Sequence, residues 1–250
     1  MVTMPRSARL AAWANAWLRS ESSMDDVLTR VCGDDEPHDV AGLPGDATTS
    51  SLVTALSKLR DRGAGSFRVV LPVPGDPAGL GGPRQLTEAA IDAGEAVLAH
   101  GAGLALVPEI QAFGPPGDEG HLVTWRCYEA EIPPLGATLA EAEQQLASTL
   151  IDAGSSLAAL DVASWRPEVA TLLNDVRKSQ IAEPLPRTYP PRAQMVAARS
   201  IRLLAVAGFA LDDDGGAVSA AAAQSRRDVL APLERAARHA LVAACNSLDQ

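Results

Sequence analysis

The residues best suited to hold a ligand lie in a glycine-rich loop at residues 75–84 (GDPAGLGGPR). A strand-like run precedes this loop at residues 66–74, and a helical segment follows it. Glycine lets backbone amides approach an anion, and the N-terminus of a helix favours negative charge. The candidate ligand-binding residues are Gly75, Asp76, Gly79, Gly81, Gly82 and Arg84.

Known phosphate-binding patterns do not match this loop. A Walker A loop requires Lys and then Ser or Thr after the glycines, and neither follows here; the dinucleotide fingerprint is also missing. Prolines in and beside the loop remove amides that a phosphate would use. An exposed strand-to-helix connection is the favoured interpretation, and a small-molecule or anion site is the alternative.

A second candidate is a stripe of arginines near the C-terminus. Arg192, Arg199 and Arg202 are spaced seven and three residues apart, so a helix places them on one face. No acidic residue occurs between Glu183 and Asp212. The stripe either binds an anion or an acidic partner, or it pairs with acidic residues of the same chain. The net charge of −10 favours the second interpretation.

No motif of the sequence carries a catalytic or metal-binding signature. The acidic residues at 34–39 and 212–214 lack the alternate spacing of a calcium loop, and we interpret them as solvated. Cys32 and His38 are only two potential zinc ligands, with no second pair in register. There is no G-x-S-x-G elbow, and the histidines are scattered. The sequence predicts no metal, no cofactor and no catalytic residue, and it leans against an enzyme.

The chain is acidic, with 21 Lys and Arg against 31 Asp and Glu. Such a surface repels phosphate backbones and anionic lipid, so we expect neither nucleic acid nor a membrane as a partner. Three distant cysteines without a C-x-x-C pair predict reduced thiols in a cytoplasmic protein. The excess of Ala, and the preference for Arg over Lys, suggest a high-GC bacterial genome.

The elements that must position these residues predict a helix-rich α+β protein. Strand-like runs at residues 66–74, 104–111 and 121–131 predict a small mixed three-stranded sheet. A helix at residues 85–99, ending at His100, separates the first two strands and allows a parallel pair. The intervening loop predicts a hairpin between the last two strands. Its second strand points Val123, Trp125 and Cys127 inward.

Apolar periodicity and caps predict further helices at residues 7–19, 24–31, 50–62, 138–160, 165–178, 194–211 and 218–248. Ser22 or Ser23 is the expected cap of the second of these, and Thr138 and Glu141 form a capping box at the start of the fourth. Trp13 and Trp17, one turn apart, mark the buried face of the first helix. Pro232 is expected to kink or split the last one. The chain thus divides into an α/β region at 1–135 and a helical region at 136–250, either as two domains or packed as one.

Two function classes follow. The leading hypothesis is a non-enzymatic cytoplasmic protein that binds a protein partner, or a second copy of itself, through the C-terminal helices. Ala-rich helices with leucine stripes are good packing surfaces, and their length exceeds what is needed to cover a small sheet. The alternative is a small-molecule or anion-binding protein, or an enzyme, that uses the loop at residues 75–84.

Overall fold

The computed structural model describes residues 4–77, 79–115, 117–159, 185–212 and 220–249. The chain separates into two compact units. The first consists of residues 5–136, 185–189 and 248–250, and the second of residues 1–4, 137–184 and 190–247.

The first unit contains four helices and six strands among its described residues. The helices are α1 (Arg6–Leu18), α2 (Met24–Cys32), α3 (Leu52–Asp61) and α4 (Arg84–Ala93). The strands are β1 (Asp39–Ala41), β2 (Ser50–Ser51), β3 (Ser66–Val70), β4 (Ala96–His100), β5 (Leu104–Phe113) and β6 (Gly120–Glu129). A short 3-10 helix, Ser247–Asp249, contributes its last residues to this unit.

The strands form one mixed sheet in the order β2-β1-β6-β5-β4-β3. Strands β3 to β6 are antiparallel neighbours, and β1 lies parallel to β6. The α+β, helix-rich class is confirmed, as is the hairpin of β5 and β6. The three-stranded sheet was wrong, because β1, β2 and β4 also belong to it.

The error at β4 has a local cause. Residues 85–99 are apolar and Ala-rich, and they were predicted to form one helix ending at His100. Gly94, however, adopts a left-handed conformation with φ of 71°, which ends α4. The chain then turns back as β4, with His100 at its end, and runs antiparallel to both neighbours. The predicted parallel pair is therefore wrong.

Helix α4 packs on the face of the sheet that carries Val70, Leu98 and Val107, where Leu86 and Ala90 join a buried cluster. Helix α1 packs against β3, β4 and β5. Its buried stripe consists mostly of small residues: Ser7, Ala8, Leu10, Ala11, Ala12, Ala14, Asn15 and Ala16.

The tryptophans divide into two groups. Trp125 is fully buried, as its strand phase predicts, and Val123 beside it is buried too. Trp13 and Trp17 are only half-buried, contrary to prediction. Because small residues form the contact of α1 with the sheet, the indoles lie at the margin of the helix. There the guanidinium groups of Arg30 and Arg60 cover them at 5.3 and 4.8 Å from the ring centroids.

The second unit contains the helices α5 (Leu139–Ala159), α6 (Pro191–Asp212) and α7 (Ala220–Cys245) among its described residues. Helix α7 packs against both α5 and α6. Thr138 and Glu141 form the predicted capping box, with Thr138 N to Glu141 Oε2 at 2.8 Å. Pro232 lies inside α7 and does not split it. The helix predicted at residues 165–178 lies outside the described residues.

No described helix combines the length and apolar character that crossing a bilayer requires. The cysteines Cys32, Cys127 and Cys245 are free thiols.

Candidate functional site

The glycine-rich loop before α4 packs tightly at one end. The backbones of Val73 and Asp76 close a turn, with N···O distances of 3.0 and 2.9 Å. Gly81 then bridges to Glu131, and a Cβ at Gly81 would lie 2.8 Å from the Glu131 carbonyl oxygen. Close backbone packing therefore requires a glycine at this position, whether or not a ligand binds.

The other predicted residues of this loop do not all converge. Arg84 begins α4, is 89% exposed, and pairs with Glu88 one turn further on at 2.7 Å. Gly82 packs against Leu86 and the chain near Ala130. A Cβ added at Gly75 or Gly79 would meet no atom within 4 Å. None of these residues lines the cavity of about 840 Å³ between α5 and α7 or the open hollow of about 510 Å³ beside Trp17.

The arginine stripe lies on α6. Arg192 pairs with Glu143 of α5, with Nε to Oε2 at 2.6 Å, and both side chains are partly exposed. Arg199 is exposed and has no polar partner in the parts of the chain that the structure describes. Arg202 is half-buried, and its Nε–H finds no acceptor among the described residues. The structure thus gives a partner to one of the three predicted residues.

Replacing Arg192, Arg199 and Arg202 together by Gln is expected to leave the unfolding free energy within about 1 kcal/mol of wild type. Among the described residues only one exposed ion pair is lost, and Gln keeps much of each side-chain stem. Denaturant unfolding followed by circular dichroism measures the change. Arg68→Gln is the control, because its partner Asp249 is largely buried and the loss should be larger. A triple variant as damaged as this control would contradict the expectation.

A network of charged and aromatic side chains surrounds Asp35, in the loop after α2. Its members, the Asp35 cluster, are Arg6, Arg9, Asp35, His38, His121 and Trp125. Arg6 donates to both carboxylate oxygens of Asp35, at 2.7 and 2.6 Å. Arg9 Nη2 lies 3.5 Å from Oδ2, and His121 Nδ1 lies 3.6 Å from Oδ1.

His38 connects this carboxylate to the buried tryptophan. Trp125 donates its indole N–H to His38 Nδ1 at 3.2 Å. The neutral imidazole must then carry its proton on Nε2, which lies 3.3 Å from Asp35 Oδ2. Burial lowers the pKa of His38 in spite of the carboxylate beside it. Both ring nitrogens are occupied, so His38 is not available as a metal ligand or a general base.

Asp35 is not the solvated loop acid that the sequence predicted. Its side chain is 6% exposed, whereas Asp34, Glu36 and Asp39 are exposed as expected. Burial opposes its ionisation, but the hydrogen bonds from Arg6 and the charge of Arg6 outweigh it and lower the pKa of Asp35. Its burial could not be predicted locally, because Arg6, Arg9 and His121 come from α1 and β6, far away in the sequence.

A second buried carboxyl lies near the same end of α1. Glu95 accepts a hydrogen bond from the backbone N–H of Ser7 at 2.7 Å, in the first turn of the helix. Burial raises the pKa of Glu95, although Arg6 and Arg9 oppose the shift.

The Asp35 cluster ties α1 to the loop after α2 and to β6. Four cationic or potentially cationic side chains, Arg6, Arg9, His38 and His121, share its carboxylate, so the carboxylate oxygens have little capacity left to bind a ligand. Across the described ranges, no group of three or more His, Cys, Asp and Glu side chains is arranged to hold a metal ion. We assign the cluster a structural role.

The hairpin of β5 and β6 extends past the strands beside it. Its distal half, the hairpin tip, comprises residues 109–113 and 120–123. Ile110, Phe113 and Leu122 are 46%, 44% and 45% exposed. Phe113 lies opposite Gly120, and its ring occupies the space that a Cβ at Gly120 would need. Large apolar side chains are therefore concentrated where the hairpin leaves the core.

A groove of about 840 Å³ lies within the second unit, between α5 and α7. It is lined by the small or apolar residues Ala142, Ala231 and Pro232 and by charged residues such as Glu141 and Arg227. A smaller, open hollow of about 510 Å³ lies beside Trp17 in the first unit.

Comparison with known proteins identifies relatives along nearly the whole chain. Residues 7–142 match the model of the Rv1486c-like protein N-terminal domain, and residues 140–242 match that of the C-terminal domain. The uncharacterized protein Rv1486c of Mycobacterium tuberculosis is 32% identical over 97% of this chain and 96% of its own length. MAV321 of Mycobacterium avium is 33% identical over 72% of each chain.

Uncharacterized protein ML1804 of Mycobacterium leprae is 28% identical over 97% of this chain. No solved structure matches the chain. The family models and the relatives agree over both units, and the chain belongs to the Rv1486c-like protein family.

Proposed function

We propose that this chain is a non-enzymatic binding protein that engages a protein partner through the hairpin tip. The observation that carries the proposal is the exposure of Ile110, Phe113 and Leu122 on a segment that projects past its neighbouring strands. Single exposed apolar residues are ordinary on protein surfaces. Here three large ones are concentrated on one short hairpin, and two of them, Phe113 and Leu122, lie on the same face, as is typical of an interaction site.

The arrangement of these side chains suits a protein partner. In an antiparallel pair, residues opposite each other project from the same face. Phe113 lies opposite Gly120, and Leu122 follows Gly120 by two residues on the same strand. Phe113 and Leu122 therefore share one face of the tip. An aromatic side chain with an aliphatic neighbour is a common anchor in protein interfaces. Arg126 and Glu109, paired at 2.9 Å, follow on the same face and supply a polar rim.

Two observations support binding over catalysis. The Asp35 cluster uses its carboxylate and both nitrogens of His38 internally. Close packing against Glu131 explains Gly81 in the loop at residues 75–84. An enzyme or a small-molecule site at that loop stays the alternative prediction. The free thiols support a cytoplasmic location.

The test is site-specific photo-crosslinking in the native cells. A photoreactive residue replaces Gln111 at the tip or, as a control, Glu88 on the exposed side of α4. We expect one discrete protein product from position 111 and none from position 88. Adding Phe113→Ser and Leu122→Ser should reduce that product about tenfold or more, because an aromatic hot spot is worth about 2 kcal/mol.

The double Ser variant should fold normally, since both side chains are largely outside the core. Its unfolding free energy is expected to stay within about 1 kcal/mol of wild type. Equal crosslinking from positions 111 and 88, or a product that survives both Ser substitutions, would overturn the proposed function.

The groove in the second unit supports a second candidate, a partner or homodimer bound through the C-terminal helices. Small residues in its lining allow a helix or an extended segment of a partner to approach closely. Ala231 is exposed there, and Ala231→Trp would fill the groove. Loss of a crosslinked partner from this variant, with the hairpin tip intact, would favour the groove over the tip.

A further inference from the structure

We infer that the hairpin tip pairs with the hairpin tip of a second copy of this chain, β5 against β5, about a twofold axis at Gln111. This inference rests on the proposed function and names its partner. It follows from the backbone groups that point away from β6 along the outer edge of β5.

The direction of these groups is fixed by hydrogen bonds elsewhere in the ladder. The carbonyl of His121 accepts from Glu36 N at 3.0 Å, so it points away from β5. Its opposite residue, Ala112, then belongs to a pair without mutual hydrogen bonds, and its N–H and C=O point to the outer edge. Because this direction alternates along the strand, the backbone groups of Ile110 and Pro108 also point to the outer edge. The carbonyl of Gly103, an odd number of residues away, accepts from Ala130 N on the β6 side, as the alternation requires.

Strand β4 covers only the first part of this edge. Its pairing with β5 ends at Leu106, opposite Val97. Pro108 then has a carbonyl but no N–H to offer. The N–H and C=O groups of both Ile110 and Ala112 follow, and no partner for them occurs in the parts of the molecule described.

Other strand backbones in this sheet are covered by the chain itself. At the outer edge of β3, the side-chain amide of Asn15 bonds both the N–H and the C=O of Phe67, each at 2.7 Å. Beside the tip, the backbone of Glu36 covers His121 of β6. An uncovered strand edge is a template for another strand. The tip presents such an edge next to exposed apolar side chains.

A second copy fits this edge because the pattern is self-complementary. With Gln111 opposite Gln111 of the second copy, Ile110 lies opposite the second copy's Ala112. Each of these two residues donates its free N–H to the free C=O of the other. The twofold axis generates the same two hydrogen bonds on the other side of Gln111. A shift toward β4 would instead bring Pro108, which cannot donate, into the pairing.

The side chains agree with this register. Ile110 meets Ala112 across the new pair, and Glu109 lies opposite Phe113, so no like charges face each other. Each Glu109 keeps its own Arg126. The shared strand is short, and we expect a dimer that dissociates on dilution.

Disulfide trapping tests the register. Gln111→Cys should form a covalent dimer on mild oxidation, because directly opposed residues in a non-hydrogen-bonded pair lie close enough for a disulfide. Leu122→Cys is the matched control, since it is exposed on the same face but belongs to β6. We expect at least tenfold faster dimer formation at position 111. Equal rates at both positions would overturn the inference.

Sedimentation velocity over a dilution series tests the edge itself. Ala112→Pro removes an outward N–H without removing a β5–β6 bond, and it should give monomer throughout. Ala112→Val keeps the N–H and should dimerise as wild type does. Should the Pro variant fail to fold, Gln111→Lys places like charges at the axis and should raise the dissociation constant several-fold, whereas Gln111→Thr should not.

The outcomes separate the inference from the proposed function. A wild-type protein that is monomeric at all concentrations overturns the second copy as partner. If position 111 still crosslinks a different protein in cells, binding at the tip stands without self-pairing. If it crosslinks nothing, both fail.

Discussion

Trp125→Ala is expected to lower the unfolding free energy by about 3–5 kcal/mol, the range for truncating a large buried aromatic. The indole is fully buried in β6, between Pro108 of β5 and Val40 of β1. Its removal also leaves His38 Nδ1 buried without a donor. Denaturant unfolding followed by far-ultraviolet circular dichroism measures the loss.

The controls for this variant separate volume from hydrogen bonding. Trp125→Phe keeps most of the ring volume but removes the N–H, so a loss of about 1–3 kcal/mol is expected. Trp13→Ala should cost less than Trp125→Ala, because Trp13 is only half-buried. A Trp125→Ala protein as stable as wild type would contradict the burial of this indole between β1 and β5.

Asp35→Asn is expected to destabilise the protein at neutral pH by about 3 kcal/mol, at the lower end for removing one partner of a buried ion pair. The amide cannot accept from Arg6 as the carboxylate does, and it leaves the charges of Arg6 and Arg9 without a counter-charge. The lower end applies because both guanidinium groups are about one-fifth exposed.

The same cluster makes the protein sensitive to acid. The pKa of His38 is lowered in the folded state, so stability begins to fall as the pH drops below about 6.5, where the unfolded imidazole takes up a proton. The pKa of Asp35 is also lowered, and the contribution of Asp35 to folding stability is lost as the pH drops below about 3.8. Glu95 acts in the opposite sense, because its pKa is raised and its contribution is lost as the pH rises above about 4.5.

Comparing Asp35→Asn with Glu95→Gln checks these assignments. The Gln side-chain carbonyl can still accept from Ser7 N, so Glu95→Gln should change the neutral-pH stability much less. Unfolding free energies are measured between about pH 3 and pH 8. The value for Asp35→Asn should fall less at the acid end of this range than the value for wild type. An unchanged pH profile would show that Asp35 does not carry the charge pairing assigned to it.

Local signals predicted the described helices, although α4 ends earlier than expected, and they predicted the hairpin. The cap of α2, expected at Ser22 or Ser23 and found at Ser23, the capping box at Thr138 and the inward phase of Trp125 depend only on neighbouring residues. The sheet was underestimated because β1 and β2 together contain only five residues, and their partners are distant or equally short. No periodicity can appear in such short strands.

The Asp35 cluster and the exposed hairpin tip were harder to predict for a related reason. In the sequence Asp35 cannot be distinguished from the other acidic residues of its loop. Only the fold brings Arg6, Arg9 and His121 to it from other elements. The exposure of Phe113 depends on where β4 ends, which the sequence does not reveal. The loop at residues 75–84 was recognised from its composition, but composition does not distinguish a ligand cradle from a glycine that fits against Glu131.

The first unit is not continuous in the chain, and this affects how it can be made. Asp249 accepts hydrogen bonds from Ser66 at 2.7 Å and Arg68 at 2.9 Å, and Leu248 accepts one from Arg19. Leu185 and Tyr189 are buried and also belong to this unit. During translation, therefore, a nascent chain that ends at residue 136 holds every described strand but lacks the segments that complete their packing. We therefore expect the packing of this unit to be completed only after residue 249 has left the ribosome.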